Sequence, residues 1–260
     1  MKTATQQFAL AIMAALCVAG GAEAASFGNP VSLPSQGGFV IGVETEHVVT
    51  PIGNDAAESD RYLAKATYRL APRMNLTFRA GAADIDVIGE IAGNRVALNT
   101  NPRFAWGGGV RMEPMRFSSG PNAPRLVVAA EGLMLLSSGV GEMDLVFPSA
   151  VLRERFETDY SWRELQATAA IVFSTRLFAP YFGLAMRGVE GNVHRVQTDL
   201  SGITPSIVAD EREEFGSSIS PYALAGFDYR VGPYFNLSTE AVFRNDGDYG
   251  FFVGFSEAAD

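Results

Sequence analysis

This chain offers little sulfur or imidazole chemistry. Its 260 residues include one cysteine, Cys17, and two histidines, His47 and His194. A single cysteine excludes an internal disulfide framework and a multi-cysteine metal site. Basic clusters are also missing. The formal net charge is −9, and no stretch gathers Lys and Arg into the patch that a nucleic-acid binder shows. Nor does any internal apolar run approach the ~18 residues that a membrane-crossing helix needs. Apolar content is an ordinary 47%. A membrane role therefore rests on alternating strands or on nothing.

What is present begins with a processing segment. Lys2 supplies a positive start, residues 8–19 are apolar, and Ala22-Glu-Ala24 fits a small-x-small cleavage site. Residues 1–24 are read as a cleaved signal peptide and residues 25–36 as an irregular leader. Cys17 falls inside the signal. Leu16 before it lacks the small side chain of an acylation site. The mature chain is thus expected to carry no thiol.

From residue 37 to residue 260 the dominant signal is alternation with period two. The closing hairpin shows it best. Leu237, Thr239, Ala241 and Phe243 share one parity, and Ser238, Glu240, Val242 and Arg244 the other. After a turn at 245–248, Tyr249, Phe251, Val253 and Phe255 alternate with Gly250, Phe252 and Gly254. The same pattern predicts ten strands, over 39–47, 61–70, 76–87, 103–113, 125–138, 160–175, 180–193, 217–231, 235–244 and 249–255. The alternation falters at Ala83 and Asp84, where a bulge is expected. Segments 48–60, 89–101, 139–159 and 194–216 read as long loops, with a helical turn over 150–156. The intervening connections read as shorter turns. Long loops at one rim and short turns at the other describe an all-β, antiparallel, up-and-down transmembrane β-barrel. An eight-strand solution stays open if the first strand or the last hairpin is misassigned.

Parity suggests which face is inside. Gly42, Gly81, Gly107, Gly109, Gly183 and Gly226 share the parity of the charges, and a small barrel places its small side chains inside. The interior is then expected to hold Lys65, Arg69, Arg79, Arg103, Arg111, Arg125, Arg187, Arg230 and Arg244. Against these stand Glu44, Glu46, Glu113, Glu131, Glu164, Asp228 and Glu240. Unpaired charges in so narrow a space cost several kcal/mol each, so pairing is expected, with Glu44 and Glu46 meeting Arg244 across the closing strands. Tyr62, Tyr68, Trp106, Tyr160, Trp162, Tyr181, Tyr229 and Tyr249 sit near predicted strand ends, as interfacial aromatics do.

The cleavage site at Ala22–Ala24 and the segments 76–81, 180–184 and 249–255 resemble those of small OmpA/opacity-type bacterial outer-membrane β-barrel proteins. The resemblance is to a class and covers the mature chain. It implies a bacterial outer-membrane address, with lipid, lipopolysaccharide and the barrel-insertion machinery as partners. The chain differs by continuing through residues 256–260 after Phe255, and by ten strands where eight are usual.

Function is read as structural or surface-interacting, through acidic outer loops whose ligand is left open. The alternative is a narrow porin-like channel that uses the same interior charges for ion selection. A hydrolase is the third reading. Asp84-x-Asp86 resembles the acidic pair of ten-strand omptin proteases, but no Asp lies next to or two residues from either His. His194 has Ser201 and Ser206 in its own segment. No catalytic residue, cofactor or specific metal site is assigned. The acidic stretches Asp246-Gly-Asp248 and Asp210-Glu-Arg-Glu-Glu214 match no calcium-loop spacing and suggest only loose divalent bridging.

Overall fold

The computed structural model describes residues 38–258, apart from 53–54, 92–93, 99–100, 121, 148–149, 176, 202–203, 232–234 and 245–248. The signal peptide and leader lie outside the described residues.

Twelve strands form one antiparallel sheet. They are β1 Phe39–Ile52, β2 Asp55–Ala71, β3 Met74–Ala83, β4 Asp86–Ile91, β5 Asn94–Leu98, β6 Arg103–Arg116, β7 Arg125–Phe147, β8 Ala150–Val172, β9 Phe178–Asp199, β10 Ser206–Arg230, β11 Phe235–Phe243 and β12 Tyr249–Ala258. The sheet closes on itself because β1 pairs with both β12 and β2. From β1 the ring runs through β12, β11, β10, β9, β8, β7, β6, β3 and β2 back to β1. The β4–β5 hairpin hangs from the end of β2.

The expected bulge at Asp84 is absent. Arg61 faces Ala83 and Glu58 faces Asp86, so the register of β3 on β2 carries over into β4. The Asp84 amide donates to the Asp60 carbonyl at 3.1 Å, which keeps the ladder intact there.

The expected long loops are mostly strand. Segment 139–159 forms the ends of β7 and β8, paired residue for residue up to Phe147↔Ala150. The helical turn expected over 150–156 is part of β8. Segment 194–216 likewise extends β9 and β10, to Asp199↔Ser206. The 48–60 segment closes the β1–β2 hairpin, and 89–101 contains β5. β12 also continues past Phe255 to Ala258, where it faces Val40. The reason is physical. In these segments the outward positions turn from apolar to charged, as at Glu157 and Asp159, so the sequence reads as polar loop while the backbone stays paired.

Burial follows parity. Outward side chains along the ring are large and apolar. Phe78 is 69% exposed and Leu165 67%. Inward side chains are buried. Three of the expected rim aromatics turn inward, namely Tyr160, Trp162 and Tyr181. Tyr160 and Trp162 lie deep within a strand of 23 residues, not at its end. Tyr62, Trp106 and Tyr229 do face outward.

Inward glycines let the sheet curve this tightly. A Cβ built on Gly81 would collide with the backbone oxygen of Tyr62 on β2, and one on Gly183 with that of Ala169 on β8. At outward-facing Gly132 the nearest atom would lie 3.6 Å away, an ordinary contact.

The ion-paired interior as candidate functional site

The inward faces of β7, β8 and β9 carry the same order of side chains. On β8, Tyr160 and Trp162 come first, then Glu164, then Ala170 and Val172. On β7 the equivalents are Leu133 and Leu135, Glu131, and Val127 and Ala129. On β9 they are Val189 and Val193, Arg187, and Ala179 to Ala185. A charged layer therefore lies between two apolar clusters inside the ring.

That layer is one connected ion-pair chain. Lys65 Nζ meets Glu44 at 3.2 Å, and Glu44 meets Arg79 Nε at 3.1 Å. Arg79 continues to Glu46 at 3.2 Å and also to Glu131. Glu46 takes Arg61 at 3.3 Å, and Arg61 reaches Glu164 at 2.8 Å. Glu164 accepts in turn from Arg187 at 2.8 Å. Glu131 also faces Arg111 at 3.6 Å. Arg61 and Glu164 stand on β2 and β8, which are separated by β3, β6 and β7 around the ring. The contact therefore crosses the interior. The Arg61 guanidinium lies 6.0 Å from the Trp162 ring centroid, tying the charged layer to the apolar one. Towards the short turns, Glu113 faces Arg125 at 3.5 Å and Arg116 at 2.9 Å. The Tyr181 hydroxyl donates to Glu240 at 2.9 Å, and Asp228 is buried nearby on β10.

Of the sixteen charges expected inside, twelve are placed there. Arg69, Arg103 and Arg230 stand outside that layer, and Arg244 is half-buried at its edge, on the inward parity of Val242. Arg103 and Arg230 stand at strand ends and are exposed, so correct parity no longer implies enclosure. Arg69 donates to the Pro72 carbonyl at 2.5 Å in the adjacent turn. Arg244 lies past the end of β11, 5.9 Å from the Tyr222 ring centroid. Glu44 and Glu46 find their cations on β2 and β3, while Arg244 lies farther along than Glu240, the β11 residue level with Glu46. Arg61 joins the network unanticipated. It shares the parity of Lys65 and is fully buried, so continuing the parity rule by two pairs along β2 finds it.

Both histidines pair with aspartates near the hairpin end. His47 Nδ1 lies 2.5 Å from Asp60, and His194 Nε2 lies 2.8 Å from Asp210. The Asp60 amide donates to the Asp84 carboxylate at 2.8 Å. Burial, with Asp60 and Asp86 adding like charge, holds Asp84 above the ordinary carboxylate range. Ser201 is engaged elsewhere. Its hydroxyl accepts from the Arg153 amide at 2.9 Å, and its own amide donates to Asp199 at 2.7 Å. Among the described residues no group of three or more His, Cys, Asp or Glu is arranged to hold a metal. Asp246 and Asp248 lie outside the described residues.

No protein-family model and no curated protein matches the chain. Solved structures similar in fold include the translocator domain of the autotransporter NalP from Neisseria meningitidis. It is 11% identical, covers 87% of this chain and 90% of its own, and gives a TM-score of 0.46. The CymD monoaromatic hydrocarbon channel is 9% identical over 86% and 89%, with a TM-score of 0.39. The outer-membrane protease OmpT from Escherichia coli is 10% identical over 84% and 90%, with a TM-score of 0.38.

Proposed function

We propose that the ten strands of the ring span a bacterial outer membrane, with the long hairpins outside and the interior closed by its own side chains. The role is structural or surface-interacting, exerted through the projecting hairpins. Lipid, lipopolysaccharide and the barrel-insertion machinery are the implied partners.

The observation that carries the membrane reading is the outward apolar belt on a closed sheet. On β8 the belt begins at Leu165 and ends at Phe173, just past the strand. On β9 it runs from Phe178 to Met186. Above it Arg163 and Glu190 form an exposed pair at 3.8 Å. Nine residues at about 3.3 Å each, tilted by about 40°, span roughly 23 Å, close to the apolar band of such barrels. Two soluble alternatives, a lipid-free enclosed barrel and a sandwich, would leave no reason for Phe78, Phe182, Leu184 and Phe243 to face solvent.

Closure rests on the Arg61–Glu164 contact across the interior and on the apolar clusters at either side of it. Ion conduction would require several buried pairs to open together. In a planar bilayer the refolded protein is expected to give no discrete conductance steps, while its band shifts on heating as a folded barrel's does. Reproducible steps would support the channel reading, and Arg111 or Glu131 substitutions would then alter ion selectivity.

A further inference from the structure

Among the described residues, the ladder at the hairpin end is interrupted between β10 and β1. β11 reaches only Phe243, which faces Ala223 on β10. Beyond Ala223, β10 runs on for 17 residues, from Tyr222 out to Ser206. Among the described residues it has a ladder partner there on one side only, β9. On the far side of the gap, β1 extends just five residues beyond His47, its last residue paired with β12. Pro221 and a register shift between Ser217 and Ser220 mark where β10 leaves the ring's ladder. The distal stretch of β10 therefore outreaches β1 by about a dozen residues. Among the described residues, its hydrogen-bonding edge there is open.

Both faces of that stretch are in solvent. Ile207 is 68% exposed, and Asp210, Glu211, Arg212, Glu213 and Glu214 are all exposed. Asp210 is paired with His194. Glu211 stands opposite Arg195 on β9, and Glu213 and Glu214 stand opposite the uncharged Val193 and Asn192. An exposed edge is a template for another strand, and charge on it selects the partner. A second copy of this edge is disfavoured in the antiparallel register centred on Arg212, which sets Glu211 against Glu213 and Asp210 against Glu214. An extended segment with Lys or Arg at alternating positions reverses the sign of that interaction.

We infer that the distal edge of β10, from Ser206 to Gly216, is a docking site for an extended, lysine- or arginine-rich peptide segment, bound by strand addition. The Proposed function contributes only the side of the membrane that this edge faces, so binding is tested in detergent micelles, where sidedness plays no part.

The probes are three fluorescent decapeptides: alternating Lys-Thr, the same sequence with every second backbone amide N-methylated, and alternating Glu-Thr. Fluorescence anisotropy with the full mature protein is expected to show saturable binding of Lys-Thr. N-methylation should weaken it at least tenfold, since it removes ladder donors and keeps the charge. Glu-Thr should not bind. The double variant Glu211→Lys/Glu213→Lys, checked for folding by its heat-dependent gel shift, should lose Lys-Thr binding and gain Glu-Thr binding. Equal binding of the N-methylated peptide would overturn strand addition in favour of plain charge attraction. Absence of Lys-Thr binding by the folded protein, or a concentration-dependent dimer that Glu211→Lys abolishes, would overturn the choice of partner.

Discussion

Arg61 is the residue on which the interior turns. It holds Glu46 and Glu164 from opposite sides of the ring and packs over Trp162. Removing one member of a buried ion network leaves carboxylates short of a cation, at about 3–5 kcal/mol. Arg61→Ala should therefore lower the urea midpoint of the heat-modifiable band sharply. Arg163→Ala, which deletes the exposed partner of Glu190, should change stability by about 1 kcal/mol or less. Equal effects would mean that the interior pairs are solvated. Asp84 gives a second test. Its carboxyl is held above the ordinary range by burial and by Asp60 and Asp86, so the folded state binds its proton more tightly than the unfolded state does. Stability from this site is present at low pH and is lost as pH rises through the raised value. Asp84→Asn should flatten that loss and resist urea better than the parent at neutral pH. Unfolding midpoints taken from acid to neutral pH would show it.

At the scale of the element, what the sequence makes legible depends on what surrounds each strand. Strands facing the outward belt are readable, because Phe78, Leu165 and Leu184 must alternate with inward polar or small residues. The distal parts of β7 to β10 are not. There Glu157 and Asp159 alternate with Phe156, Thr158 and Tyr160 in a segment wetted on its outer face, so a charged stretch reads as loop. Tyr160 and Trp162 look like rim aromatics for the same reason, because the charged stretch before them hides the first ten residues of β8. Network membership was legible wherever parity and mid-strand position coincided, as at Glu44, Arg79 and Glu131. It failed at strand ends, as at Arg103 and Arg230. The inward glycines are a prediction at this scale. Gly81→Val and Gly183→Val place branched side chains against neighbouring backbone and should abolish the folded band on a gel. Gly132→Ala, with 3.6 Å to its nearest neighbour, should fold normally. Similar yields for all three would show that curvature does not depend on these positions.

The whole molecule is a wall with two unlike ends. The short connections lie at one end. At the other, strands of 22–25 residues rise well beyond the 9–11 residues that a bilayer requires, and carry acidic side chains with them. Between the two, Arg and Glu neutralise each other inside, and under the proposed membrane-spanning role Phe and Leu meet lipid outside. The chain's two tryptophans report on each side of this wall. Trp106 faces outward on β6, half exposed, and Trp162 is fully buried inside on β8. The most direct test uses two variants with one tryptophan each, Trp162→Phe and Trp106→Phe. Both are refolded into vesicles whose lipid chains carry bromine at mid-depth. The account predicts strong quenching of Trp106 emission and little or none for Trp162. Quenching of Trp162 with Trp106 spared, or of neither in a folded and vesicle-bound protein, would contradict a membrane-spanning barrel with its apolar face outward.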